Sequence, residues 1–562
     1  MRRKYFFYIL FLCIFVCHTD SKAQTKSPKY ETRAVWLTTI GGLDWPHNYA
    51  GSTASVKQQK DELCHLLDLY KRAGINTVLL QTRIRGTVIY PSLYEPWDGC
   101  LSGVPGKSPG YDALAFAIEE CHRRGMELHA WVVTIPIGKW NGRGCLLLRK
   151  KFPKLIVKIG DEGYMNPEDM QTGHYLSEIC KEIASNYDID GIHLDYIRYP
   201  ETWPKQRSKH VTGDRKRQHI TDIVSLISHR VKAIKPWVRM SCSPIGKRTD
   251  LSRFSSRGWN AYSTVAQDVE HWLKSGMMDM VFPMMYFRDE QFDPFAIDWK
   301  ERSHGRIIAP GLGIYQLSPS ERDWPLTVIC RQMHLLRNTG MGHTYFRGRF
   351  LTDNVKGIYD FVAKDFDFQP ALVEPMTWIK AERPEIPSKL HSEHLITDTH
   401  DHVTRLTWEQ SNTQETIYYN VYSSRQWPVN TDDGNNLIAS RLVRPMLTIK
   451  QWQPDRYYAV TSTNRYGIES RPLQQERPRL SNDKPYGSIP IADKRHKLTD
   501  LHQMLDARYV VIETLQGNIV ATIPYPTNGI INVADIPPGV YILRSLHHKG
   551  ITHRLGFLKI KR

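Results

Sequence analysis

The segment Asp190-Gly-Ile-His-Leu-Asp-Tyr-Ile-Arg-Tyr-Pro200 places a carboxylate at the end of an apolar run that breaks at a proline. This pattern predicts a short buried strand, on which residues two apart point to the same side, so His193 and Asp195 share a face. A carboxylate is costly to bury without a purpose. We therefore take Asp195 as the first candidate for chemistry, which would be general acid–base catalysis.

The elements that must position Asp195 alternate between strand-like and helix-like patterns. The predicted strands are 33–39, 77–83, 127–134, 191–196, 238–243, 278–286, 306–314 and 341–347. The predicted helices are 55–73, 112–125, 167–186, 214–235, 262–276, 294–303, 321–339 and 354–366. This alternation predicts an α/β chain with a (β/α)8 TIM barrel over residues 30–370. A doubly wound open sheet is the alternative, but no Gly-rich phosphate motif follows the first strand.

Beyond the barrel the pattern changes to short alternating strands. A Pro-rich linker at 371–388 leads to residues 389–478, with strands predicted at 403–408, 417–423, 456–463 and 467–472. This part resembles a fibronectin type III β-sandwich. Residues 483–562 predict a second small all-β domain, with strands at 509–514, 517–523, 529–533 and 539–543. Its last part, 531–562, resembles a type IX secretion sorting domain; a β-module without a sorting role is the alternative.

The N-terminus has the pattern of a targeting segment. Arg2, Arg3 and Lys4 precede an apolar run at 5–17, and small residues allow cleavage after Ala23. This predicts a signal peptide at 1–23 and a protein that is secreted or lies in the periplasm or at the cell surface of a bacterium. A lipid anchor at Cys17 is the alternative. No later stretch predicts a transmembrane span.

The charge and the cysteines restrict the class of partner. The formal net charge is +17, which we interpret first as solvated surface charge and second as attraction to an anionic glycan or cell-wall polymer. Nucleic acid is not expected as a partner, because the chain is predicted to be exported and carries no recognised binding motif. The cysteines show neither a disulfide framework nor zinc-site spacing, and no cofactor is expected.

Polar and aromatic residues collect at the predicted C-terminal strand ends, where barrel enzymes carry their reactive groups. Aromatic rings of this kind stack on sugar rings, while Arg, His and Asp bind hydroxyl groups. The candidate substrate-binding residues are Arg83, Gln81, Trp97, His129, Trp131, His193, Arg198 and Tyr286. This composition is typical of a sugar-binding cleft.

Several blocks in this region also carry a family resemblance. They include Glu31-Thr-Arg-Ala-Val-Trp-Leu37, Gly74-Ile-Asn-Thr-Val-Leu-Leu-Gln-Thr-Arg83, Glu127-Leu-His-Ala-Trp131, Asp190 to Pro200 and Ser243-Pro-Ile-Gly246. Over residues 30–370 the chain resembles the glycosyl hydrolase-like 10 family. The resemblance implies a barrel-fold glycoside hydrolase, and one characterised branch of the family acts on peptidoglycan glycan strands stripped of their peptides. Some members have paired aspartates at the fourth strand, whereas here Tyr196 follows Asp195.

Hydrolysis of a glycosidic bond normally needs two carboxyl groups, and Asp195 is the first choice for one of them. The alternative for Asp195 is an ion pair with Arg83 or Arg198 that shapes the rim. The candidates for the second carboxyl lie in predicted loops: Asp289 and Glu290 as further catalytic residues, then Asp44 and Glu201.

The sequence therefore predicts an exported glycoside hydrolase whose partner is a glycan polymer, either bacterial cell wall or another complex glycan. The C-terminal β-modules would position it or deliver it to secretion machinery. One alternative is a catalytically inactive glycan-binding surface protein. Another is a metal-dependent carbohydrate hydrolase or deacetylase, in which His129, His193 and Asp195 bind zinc; orientation of Asp195 by the histidines is the simpler interpretation.

Overall fold

The computed structural model describes residues 27–561 except 208, 398, 400, 411–417, 452, 454, 477–490, 493, 499–506, 527–528 and 548–551. The predicted signal peptide at 1–23 lies outside the described residues. The central strands are β1 Arg33–Leu37, β2 Thr77–Arg83, β3 Glu127–Val133, β4 Gly191–Asp195, β5 Arg239–Ser243, β6 Met280–Val281 with Met284–Met285, β7 Ile307–Ile308 with Gly311–Leu312, and β8 His343–Tyr345. Each of the eight predicted barrel strands is present, whereas the sandwich strand predicted at 467–472 lies instead at Leu473–Gln474.

Strands β6 and β7 are each interrupted at a proline, Pro283 and Pro310, which cannot donate a ladder hydrogen bond. The first half of β6 pairs with β5 and with the first half of β7. The second halves pair with each other, and β7 then pairs with β8 and β8 with β1. All pairs are parallel. Because the pairing runs from β1 through β8 and back to β1, the sheet closes on itself. The predicted α/β TIM barrel is confirmed.

Helices follow each strand. They are α1 Thr53–Arg72, α2 Ala113–Arg123, α3 Met170–Asn186, α4 Gly213–Ile234, α5 Val269–Lys274, α6 Asp293–Glu301, α7 Leu326–Asn338 and α8 Ile358–Phe361, which continues as a π-helical turn at Val362–Phe366. Short helices occupy the loops at Gly99–Ser102, Arg143–Lys151, Ala261–Thr264 and Gly348–Thr352. The insertion after β3 adds a small sheet of Pro136–Lys139, Ile156–Ile159 and Glu162–Met165, whose strands are too short to show a pattern in the sequence.

The barrel buries two separate apolar layers because successive side chains of a strand point to opposite faces. On β1, Val35 and Leu37 join the layer between the strands and the helices. Ala34 and Trp36 join a smaller layer inside the barrel. Val373, from the segment after the last barrel helix, belongs to the inner layer as well. The inner layer lies directly below the residues at the barrel mouth and forms the floor of that site.

Two antiparallel sheets follow the barrel. One contains Ser388–Ile396, His402–Glu409 and Met446–Ile449, and the other Leu437–Leu442, Tyr418–Ser424, Tyr457–Thr463 and Leu473–Gln474. They form one compact unit with the barrel up to Gln475. The second unit, Glu476–Arg562, has strands at Ile491–Ala492, Arg495–Lys497, Ala507–Thr514, Ile519–Pro524, Ile530–Asn532, Gly539–His547 and Thr552–Ile560. No described helix has the length and apolarity to cross a membrane.

A buried ion cluster joins the first β-sandwich to the N-terminal end of the barrel. Arg441 of the sandwich donates to Asp190 Oδ1 at 2.6 Å and to Glu127 Oε1 at 3.1 Å. Arg239, the first residue of β5, also donates to Glu127 Oε1, at 2.8 Å. Burial alone would raise the pKa of Glu127, but the two guanidinium charges hold that pKa below its usual range. Part of the counter-charge of these barrel carboxylates therefore comes from the sandwich, through Arg441.

We expect Arg441→Met to lower the free energy of unfolding by about 3–5 kcal/mol, because removing one member of a buried ion pair leaves a carboxylate uncompensated. Urea unfolding followed by tryptophan fluorescence measures this. Arg444→Met is the matched control, since Arg444 is exposed and no described carboxylate pairs with it. Equal midpoints for the two variants would contradict a stabilising role for the cluster.

Candidate active site

Asp195 stands at the C-terminal end of β4, between Val133 of β3 and Ser243 of β5 in strand register. Its Oδ1 accepts hydrogen bonds from the Ser243 hydroxyl at 2.7 Å and from the Tyr196 backbone N–H at 2.8 Å. Its Oδ2 accepts from Trp131 Nε1 at 3.1 Å. The residue is 5% exposed. The carboxyl group is therefore held in one orientation by three donors, all of them uncharged.

Burial raises the pKa of Asp195 above its usual value. The hydrogen bonds from Ser243, Tyr196 and Trp131 and the charge of Arg198 oppose that rise without cancelling it. A carboxyl group with a raised pKa keeps its proton closer to neutral pH, which suits it to donate that proton to a leaving group. The geometry supports a general-acid role.

The backbone turns sharply directly after the carboxylate. Tyr196 has φ +54°, a left-handed conformation that is uncommon for a bulky residue. This turn directs the Tyr196 N–H to Asp195 and leaves the side chain 38% exposed. Backbone strain of this kind concentrates at functional sites. The strain is thus a second feature, besides the buried acid, that marks the end of β4.

An aromatic cage lies beneath Asp195. The His193 ring packs edge-on against Trp36, Trp131 and Phe282 with centroid distances of 6.0, 6.5 and 5.3 Å. Trp36 Nε1 donates to His193 Nε2 at 3.2 Å, so the ring proton resides on Nδ1, 3.1 Å from the Ser241 hydroxyl. Burial lowers the pKa of His193 well below its usual range, which keeps the ring neutral. His193 therefore belongs to the buried inner layer below Asp195.

The structure corrects the substrate-binding role predicted for both histidines. Each is completely buried. His129 lies 3.2 Å from Glu127 at the start of β3, which is the end of the barrel opposite to Asp195. The strand pattern placed both histidines on the inner face, but it did not show how deep in the barrel they lie.

Two further predicted sugar-binding residues form hydrogen bonds to the loops at the barrel mouth. Gln81 Oε1 accepts from the Thr39 and Ile40 backbone N–H groups at 3.1 and 2.9 Å. Arg83 is completely buried and pairs with both carboxylate oxygens of Glu95 at 2.7–3.0 Å. Burial and these bonds leave Arg83 without a donor for a ligand, whereas the Gln81 bonds engage only its Oε1. The alternative of an ion pair between Asp195 and Arg83 is also wrong, because Glu95 is the partner of Arg83.

The remaining predicted binding residues differ in their exposure. Trp97 is half-buried and packs against the outer apolar layer. Trp131 is 4% exposed and is committed to Asp195 through its N–H. Tyr286 is half-buried, and its ring stacks on Phe346 with centroids 5.1 Å apart. Burial and the nearby charge of Asp195 raise the pKa of Tyr286. Of these three, Tyr286 lies at the boundary between the Asp195 site and the surface.

A groove of about 680 Å³ begins at Tyr286. Asp289 and Glu290 are exposed in it, on a 3₁₀ turn at Asp289–Gln291. Asp289 forms only loose ion pairs, at 3.4 Å with Arg288 and 3.7 Å with Arg331. The groove lining comprises Ser255, Arg257, Tyr286, Phe287, Arg288, Asp289, Glu290, Gln291, Arg322 and Trp324. The two predicted partner acids are therefore together in an open groove.

The other two carboxyl candidates are bound within the protein. Asp44 is buried and accepts hydrogen bonds from Thr38 N–H at 2.8 Å and Arg349 N–H at 3.0 Å, and it also pairs with Arg347. Glu201 pairs with Arg198. In the part of the chain that the structure describes, no three His, Cys, Asp or Glu side chains come together in a way that could hold a metal ion.

Sequence reasoning missed several residues of this region as site candidates, among them Ser243, Tyr196, Arg257, Arg322 and Trp324. Ser243 could have been found, since it ends β5 and lies beside Asp195 in register. The groove residues come from loops after β5, β6 and β7, and loop sequences carry no periodicity that would show which residues meet.

Comparison with known proteins shows which family this sequence belongs to. The family described as glycosyl hydrolase-like 10 matches residues 31–315, which include Asp195, Ser243 and the Asp289 turn. The chain belongs to this family. It is 29% identical over 452 residues to the glycosyl hydrolase YngK of Bacillus subtilis (strain 168), covering 74% of this chain and 86% of that protein.

The chain is also similar to a second relative and to a solved structure. The chain is 28% identical over 347 residues to the glycosyl hydrolase DigH of Escherichia coli (strain K12), covering 54% of this chain and 78% of that protein. The glycoside hydrolase domain of PgaB (BpsB) from Bordetella bronchiseptica aligns over 59% of this chain and 98% of its own, with 15% identity and a TM-score of 0.41.

We expect Ser243→Ala to raise the pKa of Asp195 further, because it removes a hydrogen bond that stabilises the carboxylate form. The protonated fraction will then persist to higher pH. Infrared difference titration of the carboxyl C=O band, with Asp195→Asn as the subtraction reference, measures this without requiring activity. Ser241→Ala is the matched control, since Ser241 contacts His193 instead. An unchanged titration in Ser243→Ala would contradict the assignment.

Proposed function

We propose that this protein is a glycoside hydrolase that cleaves a bacterial cell-wall glycan, such as a peptidoglycan strand, or another complex glycan. The observation that carries the proposal is the Asp195 carboxyl: buried at the end of a barrel strand, oriented by three neutral donors and raised in pKa. Membership of a glycosyl hydrolase-like family supports the reaction class.

In the proposed reaction protonated Asp195 donates its proton to the glycosidic oxygen as the bond from that oxygen to the anomeric carbon breaks. The negative charge left on Asp195 is stabilised by the Ser243 hydroxyl, the Tyr196 N–H and the Trp131 N–H. The groove that begins at Tyr286 supplies Asp289 or Glu290 as the second carboxyl, which activates the water or attacks the anomeric carbon.

One observation favours a binding protein without catalysis as the second candidate. Asp289 and Glu290 are exposed, and the Asp289 carboxylate lies within ion-pair distance of Arg288 and Arg331. If no carboxyl group reaches the sugar from the groove, the site would hold a glycan and leave it intact. Both the glycoside hydrolase and the binding protein would bind the glycan, but only the hydrolase would cleave it.

We expect Asp195→Asn to lower kcat/KM for peptide-free peptidoglycan strands by about 10²–10⁴-fold, because the amide cannot donate the required proton. Release of reducing ends measures turnover, and isothermal titration measures retained binding. Glu290→Gln and Asp289→Asn identify the second carboxyl by which of them lowers kcat.

Asp353→Asn is the control for this series, since Asp353 is exposed and pairs with Arg349. Addition of EDTA should leave turnover unchanged if carboxyl groups alone act. Full turnover in Asp195→Asn would refute the role of Asp195. Binding of strands by the wild type without any turnover on a panel of glycans would favour the binding protein.

We further propose that the protein acts outside the cytoplasm after removal of residues 1–23, and that residues 483–562 serve in sorting. The basic and apolar pattern of the first residues and the resemblance at 531–562 support this. Expression in a bacterial host followed by N-terminal sequencing should give a chain that begins at Gln24. A chain that retains Met1 and remains with the cytoplasmic fraction would contradict export.

A further inference from the structure

The insertion after β3 carries a short helix whose two faces differ in composition. In the helix Arg143–Lys151 the buried residues are Gly144, Cys145 and Leu148. The exposed residues recur at intervals of three and four, which on a helix places them on one face. They are Arg143, Leu146, Leu147, Lys150 and Lys151. Two leucines, each 46% exposed, therefore lie among cations on the face that meets solvent.

Exposed apolar residues of two neighbouring loops lie beside the two ends of this helix. At its C-terminal end, Lys151 Nζ lies 5.7 Å from the ring centre of Tyr94, and Leu93, next to that tyrosine, is 93% exposed. At its N-terminal end, Arg143 packs against Gly106 so closely that an added Cβ would collide with the guanidinium. The exposed apolar residues of this docking face are Leu93, Val104, Leu146 and Leu147.

The cations of the docking face are not neutralised within the described part of the protein. Arg143, Lys150 and Lys154 are all exposed, and no described carboxylate lies within ion-pair distance of any of them. The two acidic residues of the same insertion, Asp161 and Glu162, pair with other basic residues. The docking face therefore combines uncompensated positive charge with exposed apolar side chains.

We propose that this face docks the protein on a lipid bilayer with anionic headgroups. Helices that lie at a bilayer interface bury apolar side chains at the level of the headgroups, while lysines and arginines attract anionic lipids. A hydrophilic polyanion would pair with the cations but would leave the apolar side chains in water. The exposed leucines therefore favour a bilayer over a charged polymer.

The docking face lies at the barrel end that carries the candidate active site. The insertion begins directly after β3, and its first residue, Thr134, donates its backbone N–H to the Asp195 carbonyl at 2.9 Å. A protein docked through this face would hold the Asp195 site close to the headgroups. The inference concerns an interaction surface and does not depend on the proposed glycosidase function, so that binding can be measured without turnover.

Flotation of the protein with lipid vesicles tests the proposal. The chain used begins at Gln24, because the apolar run at 5–17 would bind vesicles by itself. We expect binding to vesicles of phosphatidylethanolamine with phosphatidylglycerol and little binding to vesicles of phosphatidylcholine alone. Added salt should weaken the binding, since ions screen the attraction between the cations and the anionic lipids.

Two pairs of substitutions separate the apolar and the charged contributions. Leu146→Ser with Leu147→Ser should weaken binding to the anionic vesicles about 10- to 100-fold, because two apolar side chains are no longer transferred out of water. Lys150→Gln with Lys154→Gln should weaken it about 25-fold, which corresponds to roughly fivefold for each basic residue near the surface.

Matched pairs elsewhere on the chain are the controls. Val443→Ser with Met446→Ser removes exposed apolar groups from the sandwich. Lys380→Gln with Arg383→Gln removes exposed cations that no described carboxylate pairs with. Both control pairs should bind the vesicles as tightly as the wild type does. Equal midpoints of thermal unfolding show that all of these variants are folded.

The proposal is overturned if the wild type does not bind the anionic vesicles, or if the control pairs weaken binding as much as the substitutions in the docking face. It is also overturned if the leucine pair binds the vesicles as tightly as the wild type. In that case, binding of soluble polyphosphate that the lysine pair loses would assign the face to a charged polymer instead.

Discussion

A carboxyl group removed from water must either keep its proton or be surrounded by donors, and the end of β4 provides both conditions to Asp195. Burial favours the protonated acid, while Ser243, Trp131 and the Tyr196 N–H stabilise the anion. The two protonation states are thereby brought closer in free energy than they would be in a wholly apolar site. Much of the surrounding structure serves to hold these three donors in place.

The barrel's inner layer explains how the donors stay fixed. Trp131 extends from β3 and Ser243 from β5, so Asp195 is bound to both neighbouring strands. Below them, Trp36 and Ser241 fix the neutral ring of His193. Gly191, at the start of β4, leaves room for the His129 ring, which an added Cβ would approach to 2.5 Å. The two histidines predicted to bind substrate are therefore buried packing residues below the site.

The barrel could be predicted from the sequence, because its strands and helices repeat with clear periods, and so could the burial of Asp195 at the end of a strand, because an acid after an apolar run is conspicuous. Depth within the barrel was not predictable, which is why His129 and His193 were assigned to substrate. The ion pair between Arg83 and Glu95 was also not predictable, because it depends on the geometry of the loop that joins them. In the sandwich, Ser388–Ile396 was missed because polar residues on both of its faces obscure the alternation, and Met446–Ile449 was missed because a strand of four residues is too short to show a pattern.

The interface between the barrel and the sandwich shows that the compact folded unit extends beyond the segment matched by the family. The match to the glycosyl hydrolase-like 10 family ends at residue 315, and the last barrel helix ends shortly before 370. Yet Glu127 and Asp190, which begin or precede the strands that carry Trp131 and Asp195, both pair with Arg441 of the sandwich, and Glu127 pairs with Arg239 as well. The barrel and the sandwich belong to one compact unit that extends to Gln475, and a different sandwich at this position would need an arginine at the same point in space to pair with Glu127 and Asp190.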